Sequence, residues 1–201
     1  HVLVMTATPI PRTLALTLYG DLDISLIDQL PPGRRPIKTM WLDPGQREGA
    51  YDFIHSKVAE SQQAFIICPL IEESESIEAK AAIVEYNHLC RAVFPNLRLG
   101  LLHGRMPIEE KEKAMQDFRE GKFDILVSTP VVEVGIDIPN ATVMLVESAD
   151  RFGLSQLHQF RGRVGRGTRQ SHCLLLAERP SVEGKEFQLR CKHNQNGFAL
   201  A

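Results

Sequence analysis

Three arginines, Arg161, Arg163 and Arg166, stand among glycines in QLHQFRGRVGRG (156–167), just ahead of the apolar run QSHCLLLA. Guanidinium forks match phosphate oxygens two at a time, and glycines let one backbone approach another without a Cβ in the way. Such an arrangement suits a polyanion held at a domain edge; taken alone, these residues also fit a solvated basic turn. A second constellation lies in DILVSTPVVEVGIDIPNA (124–141). There Ser128 and Thr129 close an apolar run, so that their hydroxyls and the amides after them could grip a phosphate. Gly135, Ile136 and Asp137 then bring a carboxylate back near the sheet edge. An acid beside a phosphate-binding turn commonly accepts a hydrogen bond from a ribose hydroxyl; an Asp capping a loop before Pro139 is the plainer alternative.

The elements that must position these groups read as an α/β fold. Residues 1–30 suggest strand, turn, helix and short strand, with VLVM as a buried strand and Pro11 suited to the first helical turn. PPGRRP (31–36), mostly Pro and Gly, reads as a linker. From Pro36 to Ala177, strand and helix signals alternate, the pattern of a parallel sheet covered by helices on both faces. IKTMWL, AFIIC, LRLGLL, DILVS, TVMLVE and HCLLLA are the six strands, short and rich in Val, Ile and Leu as buried parallel strands are. Ala50, Ile54 and Val58 mark one helical face, and Ile77, Ala81 and Val84 begin another. Pro107, Glu109 and Glu110 open a third helix, with Arg119 near its end in the sense the helix dipole favours and Gly121 as its stop. Residues 181–193 read as helix.

Ligands in open parallel sheets sit at the carboxyl ends of strands. The residues expected there are Thr6-Ala7-Thr8, Cys68-Pro69, His103-Gly104 and Ser128-Thr129-Pro130, with the arginine stretch before the last strand counted in the same set.

Composition limits the alternatives. With 43% hydrophobic and 24% charged residues, the 201-residue chain has the balance of a globular domain. It carries no apolar run of membrane-span length and no secretory pattern, and the four cysteines form no C-x-x-C pair, which argues against a zinc site or a disulfide framework and makes a reducing cytoplasm the expectation. The net charge of −2 is unevenly placed: nine basic residues face three acidic ones between Arg151 and Lys192, so local fields matter more than the total. No G-x-x-x-x-G-K-[ST] phosphate loop occurs; Gly121-Lys122 and Gly184-Lys185 lack its other parts. The chain opens at His1 without a methionine and reads as a piece of a longer protein.

TATPIPRTLALTLYGDLDISLIDQLPPGRRPI, CPLIEESE, LLHGRMPIEEKEKAM, DILVSTPVVEVGIDIPNATVM and RFGLSQLHQFRGRVGRG together resemble the second RecA-like motor domain of superfamily 2 helicases, and most closely the branch-migration DNA helicases. The resemblance covers nearly the whole chain. It implies ATP as cofactor, with Mg²⁺ ligands in a preceding first motor domain of which residues 1–30 are the remnant. Residues 31–180 would be the second motor domain and residues 181–201 the start of a helical hairpin. Arg163 and Arg166 match the arginines that reach the ATP phosphates, with Arg166 the leading arginine finger, and Gln159 stands where many relatives carry His. Gly135 and Asp137 would lie near the ribose and metal side of the nucleotide. Ser128 and Thr129, with the backbone around His103 and Gly104, would meet DNA phosphates, while Thr6 and Thr8 would couple hydrolysis to domain movement.

Two departures from the family pattern leave roles open: Phe160 replaces an additional Arg, which clouds Arg161, and Pro130 replaces a second threonine. Structural readings also remain for His103 as a strand end and for Thr6 and Thr8 as turn hydroxyls. The implied activity is an ATP-dependent helicase that remodels branched DNA in recombination and repair, partnered by the first motor domain and a wedge domain outside this chain. A transcription-repair-coupling type of duplex translocase and a catalytically silent RecA-like binding module are the alternatives. Half a motor is expected to hydrolyse no ATP alone, and the apolar residues 1–30 are expected to fold back or to pair with a second copy.

Overall fold

The structure, a computed structural model, describes residues 34–69, 75–130 and 137–177, without the side chains of residues 75–81. The expectations for residues 1–30, including Thr6 and Thr8, for the turn at Gly135 and for the helix at 181–193 fall outside the described residues.

Six parallel strands form one sheet: β1 (Lys38–Leu42), β2 (Gln63–Ile67), β3 (Leu99–Leu102), β4 (Ile125–Ser128), β5 (Ala141–Val146) and β6 (His172–Leu176), in the order β1-β6-β5-β2-β4-β3. Each expected strand is present to within two residues. The reason is their continuous burial: every residue of β2, β4 and β5 is buried, so these stretches are largely apolar on both faces, with Gln63, Ser128 and Thr142 as buried polar exceptions. Helices α1 (Arg47–Ala59), α2 (Glu75–His88), α3 (Ile108–Arg119) and α4 (Leu154–Arg161) return the chain between strands.

Alternate strand residues feed two cores, one on each face of the sheet. Phe65, Ile67, Leu126, Met144 and Val146 meet Met115 and Phe118 of α3 and Leu157 and Phe160 of α4. Ala64, Ile66, Val127, Val143 and Leu145 meet Ala50 and Ile54 of α1, and Leu89 just beyond α2. Each fully buried Leu, Ile or Phe contributes about 1.5–3 kcal/mol relative to exposure, so the two-sided core is the main source of stability.

The α2 face differs from expectation. Val84 is 66% exposed, whereas Ala82 and Leu89 are buried and Tyr86 packs against the same core. Tyr86 donates its hydroxyl to the Leu99 carbonyl at 3.1 Å, which turns this side of the helix toward β3 and leaves Val84 outward.

Helix ends follow backbone chemistry. Gly121, at φ 75°, donates its N–H to the Phe118 carbonyl, and Lys122 donates to that of Asp117, the paired bonds of a left-handed helix stop. Ser61 makes the same stop for α1 at φ 59°, with its N–H on Val58 and that of Gln62 on Lys57. Among the described residues no helix is long and apolar enough to cross a membrane.

Candidate functional site

At the carboxyl edge of the sheet, β2, β4 and β3 lie side by side and bring their last residues together. Leu102 pairs in register with Ser128, and Ser128 with Ile67. The Thr129 N–H donates to the Leu102 carbonyl at 3.1 Å, and the Cys68 N–H to the Ser128 carbonyl at 2.8 Å. His103, Gly104, Ser128, Thr129 and Cys68 therefore form one group, as expected of strand ends.

Their side chains differ in state. The Ser128 hydroxyl is spent, donating to the Thr129 carbonyl at 2.6 Å. Thr129 Oγ1 is buried and has no hydrogen-bond partner among the described residues, and the same is true of His103 Nδ1. Burial, and secondarily the nearby Lys111, holds the His103 imidazole below its ordinary pKa. Lys111 donates its ammonium to the Gly104 carbonyl at 2.6 Å, which places a positive charge at this edge. Cys68 is buried, and burial pushes its thiol up to about 12, so it packs rather than reacts.

The arginine stretch lies elsewhere. Sequence reading grouped it with the carboxyl edge; in the structure α4 runs back antiparallel to the strands and delivers it to the amino edge. A parallel sheet requires this, because each crossover must return the chain to the starting end of the next strand. Arg169 Nη1 donates to the carbonyls of Glu60 and Ser61, which precede β2, and the Ser171 carbonyl accepts from the Lys38 N–H at the start of β1.

At this edge two predicted residues meet. Arg166 Nη1 lies 3.6 Å from Asp137 Oδ1, while Arg166 Nε donates to the Gly162 carbonyl at 3.3 Å. The approach depends on glycine. A Cβ at Gly167 would stand 2.6 Å from the Pro139 carbonyl oxygen, and Gly165 has φ 78°, where a side chain is strained. Arg163 is half-buried just past the end of α4, with its N–H on the Phe160 carbonyl. Gln159 is half-buried in the last turn of α4, one turn ahead of Arg163.

Phe160, the departure from the family pattern, is a core residue stacked edge-on against Phe152 with centroids 5.3 Å apart. Beside it, Arg161 Nε and His158 Nδ1 are buried without hydrogen-bond partners among the described residues. Burial, then the Arg161 charge, lowers the His158 pKa.

One charged group went unnoticed in sequence. Glu147, the residue after β5, is buried and accepts from Arg47 Nη2 at 2.9 Å and from the Tyr51 hydroxyl at 3.0 Å. Burial raises its pKa, with Arg47 opposing. The acid in TVMLVE was the only available signal, since its partners lie on α1. Through them Glu147 fastens α1 to the sheet just before Ser148, at φ 49°, turns the chain toward α4.

Arginine and carboxylate chemistry at the amino edge fits the phosphates and ribose of a nucleotide. For a metal, no group of three or more His, Cys, Asp or Glu side chains stands together among the described residues.

The six-stranded parallel α/β sheet matches the RecA-like fold of helicase C-terminal domains. The helicase conserved C-terminal domain matches residues 47–168, more than half of the chain, and the chain belongs to that family. It is similar along its length to proteins named ATP-dependent DNA helicase RecG. The protein of that name from Synechocystis sp. is 54% identical over 201 residues, covering 100% of this chain and 24% of the relative. That of Thermotoga maritima is 49% identical over 199 residues, 99% of this chain and 26% of the relative. The chain thus spans about a quarter of the length of these relatives. A solved structure of RecG bound to a three-way DNA junction superposes with TM-score 0.78 and 46% identity, over 96% of this chain and 25% of that one. Yeast Dbp5 bound to RNA and ADP BeF3, at TM-score 0.60 and 16% identity over 94% of this chain and 46% of that one, shares the fold alone. The resemblance to superfamily 2 helicases and the RecA-like fold class are borne out.

Proposed function

We propose that this chain is the second motor domain of an ATP-dependent DNA helicase of the RecG type, which remodels branched DNA at stalled forks and junctions in recombination and repair. The observation that carries the reading is the meeting of Arg166 with Asp137 at 3.6 Å in a chain about half identical to RecG proteins throughout. In this reading residues 1–30 complete the first motor domain, residues 31–180 form the second and residues 181–201 begin a helical hairpin. The work is cytoplasmic, and a wedge domain and the rest of the first motor domain are the intramolecular partners.

ATP supplies the driving reaction when bound between the two motor domains, with Mg²⁺ held by the first. Within this chain, Arg166 and Arg163 place positive charge where phosphate oxygens gain negative charge, a preorganised stabilisation that costs no rearrangement at the moment of reaction. Asp137 holds the Arg166 guanidinium loosely and, with Gly135, addresses the ribose side. Gln159 orients groups at the phosphate end from the last turn of α4. At the opposite edge, Thr129 Oγ1, which has no hydrogen-bond partner among the described residues, offers a hydrogen bond to a DNA phosphate beside Ser128 and the backbone of His103 and Gly104. Such contacts set position and carry no base preference. The two edges are joined by the strands and by α4, so a change at one is felt at the other through a packed core.

Fork unwinding and ATP hydrolysis by the full-length protein carrying this chain test the proposal. Branched DNA should stimulate ATP hydrolysis and be unwound, whereas the chain alone should show no turnover above background. A full-length protein that binds branched DNA without any ATP hydrolysis would overturn it.

A further inference from the structure

The arginine loop is gripped from two sides, and only one grip belongs to the nucleotide site. On one side Gly167 lies against Pro139, next to Asp137. On the other, the hollow over Gly165 is filled by Ile37: a Cβ at residue 165 would stand 2.8 Å from Ile37 Cγ1 and 3.0 Å from Cδ1. Ile37 is the last residue before β1, and it packs against the core on the α3 and α4 face. Its neighbours in sequence are tied to the same loop. Gln170 Nε2 donates to the Pro36 carbonyl at 2.7 Å, and the Lys38 N–H donates to the Ser171 carbonyl at 2.9 Å. Residues 36–38 are thus fixed to the loop by a hydrogen bond on either side of the half-buried Ile37 side-chain contact.

We propose that Ile37 is a positioning residue for Arg166: by filling the hollow over Gly165 it holds the 162–167 loop against Pro139 and sets where the guanidinium stands. The segment that enters β1 therefore forms part of the nucleotide site's support, and a pull on residues 34–36 reaches the arginines directly. Gly165 explains why the contact is a fit of a distant side chain onto bare backbone. At φ 78° that residue has no side chain with which to brace the loop itself, so the brace has to come from elsewhere in the chain.

The inference rests on the reading of Arg166 as the group that stabilises the transferred phosphoryl, and a double-mutant cycle in the full-length protein separates the two. Ile37→Ala leaves the hollow empty and should lower kcat for DNA-stimulated ATP hydrolysis by about tenfold or more, since a small misplacement of a positioned group is costly. KM for ATP and the Kd for branched DNA should stay within about twofold, as expected when the lost interaction belongs to the transition state. Ile37→Val, which keeps the Cγ1 contact, should restore most of the rate. In an Arg166→Ala background Ile37→Ala should add little, because it acts through the missing group. If Ile37→Ala unfolds the protein at the assay temperature, Ile37→Leu, of equal volume but different branching, takes its place in the same cycle.

Arg166→Ala leaving kcat unchanged would remove the reading of Arg166 itself. A fall in kcat with Arg166→Ala, but none with the Ile37 variants, would overturn the positioning role alone. So would an Ile37 effect that multiplies undiminished in the Arg166→Ala background, which is the signature of a merely structural loss.

Discussion

Arg166 and Asp137 lie 3.6 Å apart through Nη1 and Oδ1, yet the pair is loose: the arginine side chain is 24% exposed and the aspartate 56%. An ion pair this accessible contributes at most about 1 kcal/mol. The guanidinium is therefore aimed by the loop rather than locked by the acid, and it can exchange the carboxylate for phosphate oxygens at little cost.

In the full-length protein, Arg166→Ala should lower ATP turnover by about a thousandfold while nucleotide binding, followed with a fluorescent analogue, stays largely intact. Binding and turnover falling together would make Arg166 a ground-state contact instead.

Gly167→Ala tests the backbone approach behind that geometry. Its Cβ would stand 2.6 Å from the Pro139 carbonyl oxygen, and neither backbone can move aside freely, so a loss of about 1–3 kcal/mol in urea unfolding is expected. Turnover should fall with it. Gly49→Ala is the control: that position in α1 is exposed and has nothing within 4 Å of a new Cβ, so it should gain about 0.5–1 kcal/mol.

Thr129→Val replaces a buried hydroxyl that has no partner among the described residues. An unmet buried hydroxyl costs about 1–3 kcal/mol, so the variant should be as stable as the parent or more so. Branched-DNA affinity and DNA stimulation of ATP hydrolysis should weaken, with DNA-free hydrolysis unchanged. A shift in base preference, read by competition between DNA sequences, would contradict a phosphate contact.

Arg47→Ala isolates the buried Glu147. Burial already raises the Glu147 pKa, and the Arg47 charge is the largest influence opposing it, so the variant's carboxyl should climb further. A group whose folded pKa lies above its unfolded value contributes stability that is present below the unfolded pKa and lost as pH rises through the folded one. Relative to the parent, the variant should therefore lose about 1–3 kcal/mol at neutral pH, the cost of a buried charge left with one partner fewer. The gap between the two thermal midpoints should narrow as pH falls from neutrality toward the ordinary carboxylate range, because the raised pKa lets Glu147 take up its proton there. A gap that stays constant would show that Arg47 acts through packing alone.

The sequence by itself determined the six strands, because a parallel strand covered on both faces must be mostly apolar, and AFIIC or the central VMLV of TVMLVE carries that requirement in its own residues. It also determined the helix that Pro107 opens and Gly121 stops, since those residues act through the backbone of their own turn. The grouping of His103 with Ser128 and Thr129 was legible for a similar reason: strand ends of a parallel sheet share an edge.

What only the tertiary structure decided depends on partners distant in the chain. The outward turn of Val84 follows from Tyr86 reaching Leu99, and the buried charge of Glu147 from Arg47 and Tyr51 on α1. The arginines stand at the amino edge because α4 must bring the chain back to where β6 begins. Their aim is set by bare backbone at Gly165 and Gly167 meeting Ile37 and Pro139. Spacing along a chain shows that a glycine is present; which neighbour occupies the space of its missing side chain is settled only when strand order brings the two segments together.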